Sequence, residues 1–313
     1  MFDVTELANK LGKRKTVIGV SGGVDSMVLL YIISQNLHLF ACELSVVTVN
    51  HKINANSDAW AEFAGKQCTQ MGIPGFTFTV KVNPNGNLEN AAREARYSAF
   101  AAMDPEAIVL AHHADDQAET VLMKLFRGSG VRGLKGMEKY APSWHDPKVL
   151  LCRPMLELSK REIVTYAKIC EIPYVEDPSN RDIKYDRNWI RNDLMPDIKR
   201  RNPLALDNIC KTASIVSESL KLMRDLADLD LAAVNRADGS LDWPKLCKLT
   251  HTRLKNLLMR VLEQNGVTSY STDHIEEFSR GLLNANSDSC NEMRIGKFRL
   301  QKRGHRVIIA EPM

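Results

Sequence analysis

The sequence runs to 313 residues, 44% hydrophobic and 26% charged, with a net charge of only +4: the balance of a soluble globular protein long enough for two cores. No stretch approaches the roughly 18 apolar residues of a membrane helix, and the N-terminus lacks the basic start and apolar run of a secretory signal. Seven scattered cysteines with no C-x-x-C pair argue against a zinc ribbon, an iron–sulfur ligand set or a redox pair, and fit reduced thiols in a cytoplasm.

The first informative stretch is Lys15-Thr-Val-Ile-Gly-Val-Ser21-Gly22-Gly23-Val24-Asp25-Ser26, followed by the apolar run Met27–Ile33. It predicts a strand, a tight turn and a helix N-terminus. Paired glycines let the backbone N–H groups approach a ligand closely, and the helix start adds unpaired donors and the positive end of its dipole. Ser21 to Ser26 therefore make a seat for an anion, phosphate above all. Asp25 is placed either to hold a metal or to cap the helix. The string has neither the Gly-Lys-Ser/Thr ending of a Walker loop nor the G-x-G-x-x-G of a dinucleotide fold.

The strand–helix pattern then repeats. Strands are expected at 43–49, 76–80, 107–111 and 148–154, and helices at 56–71, 88–103, from about 115, and from Ser159 to Cys170, with a turn at Asn83-Pro-Asn-Gly86. This alternation implies an α/β fold with a five-stranded parallel sheet. Ligands of such sheets lie at the carboxyl ends of the strands, where Gly22, His51 and His112 all fall.

His112-His113-Ala-Asp115-Asp116-Gln-Ala-Glu119 is the second chemical cluster. On a helix beginning near Asp115, Asp116 and Glu119 share a face. Crowded carboxylates call for a cation, either Mg²⁺ accompanying nucleotide phosphates or a substrate ammonium. His112 and His113 are suited to phosphate or to orienting a carboxylate. The Gly-rich stretch 128–136 follows a helix, so its G-x-G-x-x-G is no dinucleotide fingerprint; it reads as a basic loop near phosphate or nucleic acid, or as plain surface. Arg187 and Arg191, four apart on a helix, are placed to grip a carboxylate or phosphate, or else to pair with Asp186 or Asp193.

Beyond about residue 203 the alternation stops. The sequence divides into a catalytic α/β domain (1–203) and a mostly helical domain (204–313) with helices at 207–232, 244–265 and 272–284 and a closing β-hairpin. The whole net charge lies past residue 199, concentrated in Arg294, Lys297, Arg299, Lys302, Arg303 and Arg306 against Glu311. Such a patch suits an RNA backbone, or is a bare basic surface.

In order, S-G-G-V-D-S, N-H-K-I-N-A-N-S-D-A-W, E-N-A-A-R-E-A-R-Y, H-H-A-D-D-Q-A-E-T, R-G-S-G-V-R-G-L, C-R-P-M-L and E-D-P-S-N-R-D-I-K-Y-D-R-N-W-I-R resemble the tRNA(Ile)-lysidine synthetase family of PP-loop ATP-pyrophosphatases. The resemblance is strong over roughly residues 15–200 and weaker beyond. It departs at His51-Lys52-Ile53, where that family commonly has His-Gly-Leu, and longer members carry a further C-terminal domain. What it implies is an ATP-dependent ligase acting on tRNA(Ile) with a CAU anticodon. The C2 carbonyl oxygen of the wobble cytidine attacks the α-phosphate of ATP and pyrophosphate leaves; the ε-amine of free L-lysine then attacks C2 and displaces AMP. It assigns Ser21, Gly22, Gly23, Val24, Asp25, Ser26 and His51 to ATP, Asp25 and Asp116 to Mg²⁺, and Asp25, Asp116 and Glu119 to catalysis. His112, Asp116, Glu119, Arg187 and Arg191 would take the substrates. A PP-loop tRNA thiolase, a non-catalytic RNA-binding protein and a small-molecule amide ligase are the competing readings. Oligomeric state is left open, a homodimer included.

Overall fold

The computed structural model describes residues 1–52, 54–80, 88–178, 182–267, 270–295 and 298–310. The expected turn at 83–86, Ile53, Lys297 and Glu311 lie outside the described residues. Packing divides the chain into two units, Met1–Ile215 and Val216–Met313.

The first unit is a six-stranded sheet in the order β3-β2-β1-β4-β6-β5. Its strands are β1 (Thr16–Gly19), β2 (Leu44–Asn50), β3 (Gly75–Thr79), β4 (Ala107–Val109), β5 (Tyr140–Pro142) and β6 (Leu150–Cys152). The five expected strands pair in parallel. The sixth, β5, runs antiparallel along β6 at the edge; it is three residues long and ends at Pro142, which the missing N–H confines to such an edge.

The helices are α1 (Val4–Leu11), α2 (Val24–Ser34), α3 (Ser57–Gln70), α4 (Leu88–Ala101), α5 (Ala114–Phe126), α6 (Val131–Leu134), α7 (Lys160–Ile169), α8 (Asp186–Trp189) and α9 (Met195–Arg201), with one π turn at Ile190–Leu194. Successive strand residues bury on opposite faces. Ile18, Val46 and Val109 pack with Met27, Leu30 and Ile163 of α2 and α7, while Val17, Val47 and Ile108 pack with Tyr97 and Phe100 of α4. Gly19 packs closely under the α4 face: a Cβ there would stand 2.7 Å from Leu110 Cδ2 and 2.9 Å from Phe100 Cζ, so those two side-chain tips would have to shift.

Lys52 explains the departure from His-Gly-Leu. Its φ is +52°, a left-handed conformation natural to glycine. Here Lys52 Nζ reaches both Asp58 oxygens at 2.5 and 2.6 Å, and its N–H donates to Asn50 Oδ1 at 3.0 Å.

α10 (Ala205–Val234) carries the chain into the second unit. The single helix expected over 244–265 is two, α11 (Trp243–Leu246) and α12 (His251–Gln264), because Thr250 caps a fresh start by accepting the Arg253 N–H. α13 (Thr272–Leu283) follows. The closing hairpin is part of a four-stranded antiparallel sheet, β7-β10-β9-β8, built from β7 (Leu241–Asp242), β8 (Glu292–Ile295), β9 (Phe298–Arg303) and β10 (Arg306–Ala310). Leu254, Leu257, Leu258, Val261, Ile275 and Leu300 centre its core.

The cations read from this segment are met in part by internal partners. Lys302 is fully buried, its Nζ donating to the Asn286, Ser287 and Ser289 carbonyls at 2.7, 3.1 and 2.9 Å and lying 4.3 Å from the Trp243 ring centroid. Arg294 and Arg299 share Glu292, and Arg306 pairs with Asp238. Arg294, Arg303 and Arg306 remain exposed.

Candidate active site

The β1–α2 turn has the shape its sequence dictates. Gly22 has φ +84°, and a Cβ there would stand 3.1 Å from Val175, so glycine is demanded by conformation and space together. Gly23, not Asp25, is the N-cap of α2. Asp25 sits in the first helical turn, which leaves its carboxylate available. Ser26 is buried and braces the loop: its hydroxyl donates to the Gly23 carbonyl at 2.9 Å and accepts the Ser21 N–H at 3.2 Å. The N–H groups of the first α2 turn have no intrahelical acceptor and face the strand end.

α5 begins one residue earlier than expected, with His113 as N-cap. Asp116 Oδ2 closes that cap by accepting the His113 N–H at 3.1 Å. The His113 ring, 3% exposed, is the hinge of the site: its Nε2 is 3.6 Å from Asp25 and 3.4 Å from Asp116. Burial opposes a charge on His113, but the hydrogen bond to Asp25 and the Asp116 and Asp25 charges overcome it and raise its pKa. Two helices 90 residues apart in the chain are thereby joined through one imidazole.

Glu119 is 1% exposed and accepts Arg187 Nε at 2.8 Å and Arg191 Nε at 2.7 Å. The second nitrogens of both arginines reach Asp116 Oδ1 at 3.0 and 3.1 Å. The arginines therefore face the carboxylate cluster rather than Asp186 or Asp193; among the described residues Asp186 meets only the exposed Arg127, at 3.8 Å. Burial would lift the Asp116 pKa, but the charges of His113, Arg187, His112 and Arg191 hold it at about 2.

Two lysines that sequence reasoning did not single out complete the arrangement. Lys160 Nζ lies 2.6 and 2.7 Å from the Asp25 oxygens, and Lys199 Nζ 2.8 Å from Asp115. Asp115 also accepts the Lys160 N–H at 2.7 Å. Burial works against both carboxylates, yet His113 and then Lys160 beside Asp25, and Lys199 and the Lys160 N–H beside Asp115, leave both below their usual pKa. Nothing local in the sequence marks either lysine, since each meets its aspartate across 84 residues or more.

His112 and His51 behave differently from His113. Burial first, then the positive charges around them, push His112 down to about 3 and His51 to about 4. Both are neutral imidazoles at pH 7, and the Nδ1 of each is buried with no hydrogen-bond partner among the described residues. Arg96 contributes its charge to both. Neither makes a hydrogen bond to the carboxylate cluster among the described residues.

Beneath the cluster a cavity of about 130 Å³ is lined by His113, Asp115, Glu119, Lys160, Arg191 and Lys199, among others. At about 30 Å³ for each water, it holds about four.

A family model described as a PP-loop domain matches residues 2–198. The chain is 34% identical to the tRNA(Ile)-lysidine synthase of Nitrosomonas europaea over 95% of its own length and 65% of that protein. It is 33% identical to that of Legionella pneumophila (strain Lens) over 91% of itself and 67% of the relative. The chain belongs to the PP-loop family, in its tRNA(Ile)-lysidine synthase branch. Against the Pseudomonas aeruginosa member it is 38% identical over 79% of its length and 58% of the relative, so it spans about three-fifths of the protein it matches there. Among solved structures, the U34-tRNA thiolase NcsA from Methanococcus maripaludis with its [4Fe-4S] cluster shares the PP-loop fold. It has a TM-score of 0.56 and 19% identity over 68% of this chain and 77% of that one.

No helix among the described residues is long and apolar enough to cross a membrane.

Proposed function

We propose that this PP-loop chain carries out the lysidine synthesis its relatives are named for, on tRNA(Ile) with a CAU anticodon, in a cytoplasm. The observation that carries the reading is the junction at His113. Its Nε2 lies 3.6 Å from Asp25, in the first turn of α2, and 3.4 Å from Asp116, the carboxylate that Arg187 and Arg191 share. One crevice then offers a phosphate cradle and a mixed-charge pocket, and the two half-reactions need both.

In the first half-reaction the cytidine C2 carbonyl oxygen attacks the α-phosphate of ATP and the bond to the β-phosphate breaks. Backbone N–H groups from Gly22 to Asp25 hold the departing pyrophosphate, a positioning and electrostatic task. Lys160, held by Asp25 at 2.6 Å, stands ready to turn its ammonium to phosphate oxygens. Mg²⁺, when bound with ATP, neutralises charge building on the phosphates. Asp25 fits it as a single carboxylate once Lys160 moves away. Asp116 does not fit it well, because one oxygen takes both arginines and the other takes His113. Among the described residues no three His, Cys, Asp or Glu side chains are grouped to hold an ion, which suits a metal carried in mainly by phosphate.

In the second half-reaction the lysine ε-amine attacks C2 and AMP leaves. A free amino acid presents an ammonium and a carboxylate together, and Asp115, Glu119 and Asp116 beside Arg187, Arg191 and Lys199 present the complement. Lysine entering the cavity they line competes with Arg191 and Lys199 for their present carboxylates. A carboxylate so released is placed to accept the amine proton.

The test is pyrophosphate release from ATP and Mg²⁺, with and without lysine and an unmodified CAU tRNA. Release that requires the tRNA supports the reading. Release indifferent to RNA points to a small-molecule ligase, and no release in any tube sinks adenylation altogether.

A further inference from the structure

We infer that Phe126 and Trp189 form a stacking platform for the unpaired bases flanking the reacting cytidine. The inference rests on the tRNA reading above and extends it to the residues that receive the loop. Phe126 ends α5 and Trp189 ends α8; their ring centroids are 6.1 Å apart at a tilt of 42°. Both stay open to solvent, at 57% and 40%, with Tyr185 at 39% close by in the chain. Large aromatics gathered and left uncovered on a soluble surface mark a contact site.

Position and charge select the occupant. Glu119 lies seven residues before Phe126 on the same helix, about 10 Å along its axis, and Arg187 precedes Trp189 by two. The platform is thus carried on the same two helices that hold the carboxylate–arginine cluster, beside the place where the reacting base must enter. The adjoining stretch 124–136 contains Lys124, Arg127, Arg132 and Lys135 and no acid of its own, with Arg127 3.8 Å from the exposed Asp186 and Lys135 2.7 Å from Glu138. Aromatic faces interleaved with cations are how proteins receive single-stranded nucleic acid: bases stack, and the backbone follows the charge. RNA presents its sequence-bearing bases in this unstacked form in loops. An apolar protein partner would favour a rim without these cations.

The experiment measures binding of the full chain to a CAU anticodon stem–loop by fluorescence anisotropy, and to the same RNA made abasic next to the wobble cytidine. Phe126→Ala and Trp189→Ala are each expected to weaken binding of the intact loop about 10-fold, while Trp189→Phe stays close to the parent. On the abasic RNA the parent is already weakened and the alanine variants lose little more. Parent binding with both alanine variants unchanged overturns the platform and leaves the tRNA reading standing. Failure of the parent itself to bind overturns both. A fall in sedimentation mass on Trp189→Ala would assign the surface to a second copy of the chain, and equally overturn the platform.

Discussion

The crevice and the C-terminal sheet both hold buried charge, and they use it in opposite ways. In the crevice, Asp25, Asp115, Asp116 and Glu119 find cations on distant segments, and every pairing joins two or more elements. In the C-terminal sheet, Lys302 finds no carboxylate among the described residues. It is satisfied by three carbonyls of one loop and by the face of Trp243. The first arrangement can be re-partnered by a charged ligand, since each cation released has an anion to meet. The second is a structural lock, because carbonyls and an indole bind no anion in its place. Counting charges in a sequence does not distinguish the two; what surrounds each charge does.

The largest effect expected from breaking this contrast is at Glu119. Glu119→Ala strips both arginines of their buried partner, and removing one member of such a set costs about 3–5 kcal/mol. Urea denaturation should show that loss, and pyrophosphate release should fall with it. Lys302→Met keeps the stem and removes the ammonium. Orphaned carbonyls cost roughly 1–3 kcal/mol, so stability should drop by about 2 kcal/mol while the midpoint of the PP-loop unit, followed by ATP protection, moves little. A drop of equal size in both units would refute the division of roles.

Acid should act on the crevice first. The Asp116 pKa is lowered to about 2, so its contribution is complete above its ordinary 3.8 and is lost as pH falls toward 2. His112 and His51, neutral in the fold with pKa about 3 and about 4, cost stability as pH falls below 6.5, because only the unfolded chain gains the proton. His113 has the opposite sign: its raised pKa contributes stability below 6.5 that fades as pH rises through the folded value. Thermal midpoints measured from pH 8 to 3 should therefore decline steadily below about 6, and His112→Gln should flatten the slope. The smallest effect is at Lys52. Glycine relieves its left-handed backbone but loses the exposed Asp58 bridge and adds chain entropy when unfolded. Lys52→Gly should shift stability by no more than about 0.5 kcal/mol in either direction.

Much of this was legible in the sequence, for identifiable reasons. The β1–loop–α2 unit is local: β-branched residues, two glycines and an apolar helix are contiguous, so their order states the geometry. The same holds for Ser159, whose hydroxyl caps α7 against Glu162. The partners of Arg187 and Arg191 were not legible, since Glu119 and Asp116 lie 68 to 75 residues away. β5 and β7 escaped because three and two residues carry no periodicity. Lys302 did leave a signal: it alternates with Leu300, and both bury on the same face of β9. Reading it as one more surface cation ignored that period.

The measurement that tests the central claim most directly follows labelled lysine into RNA. The chain is incubated with ATP, Mg²⁺, lysine and CAU tRNA, and the wobble nucleoside is recovered and weighed. The expected product is a cytidine heavier by one lysine less one water, formed with one pyrophosphate released for each. Pyrophosphate without lysine in the RNA, or a wobble base that gains sulfur in place of an amine, would contradict it.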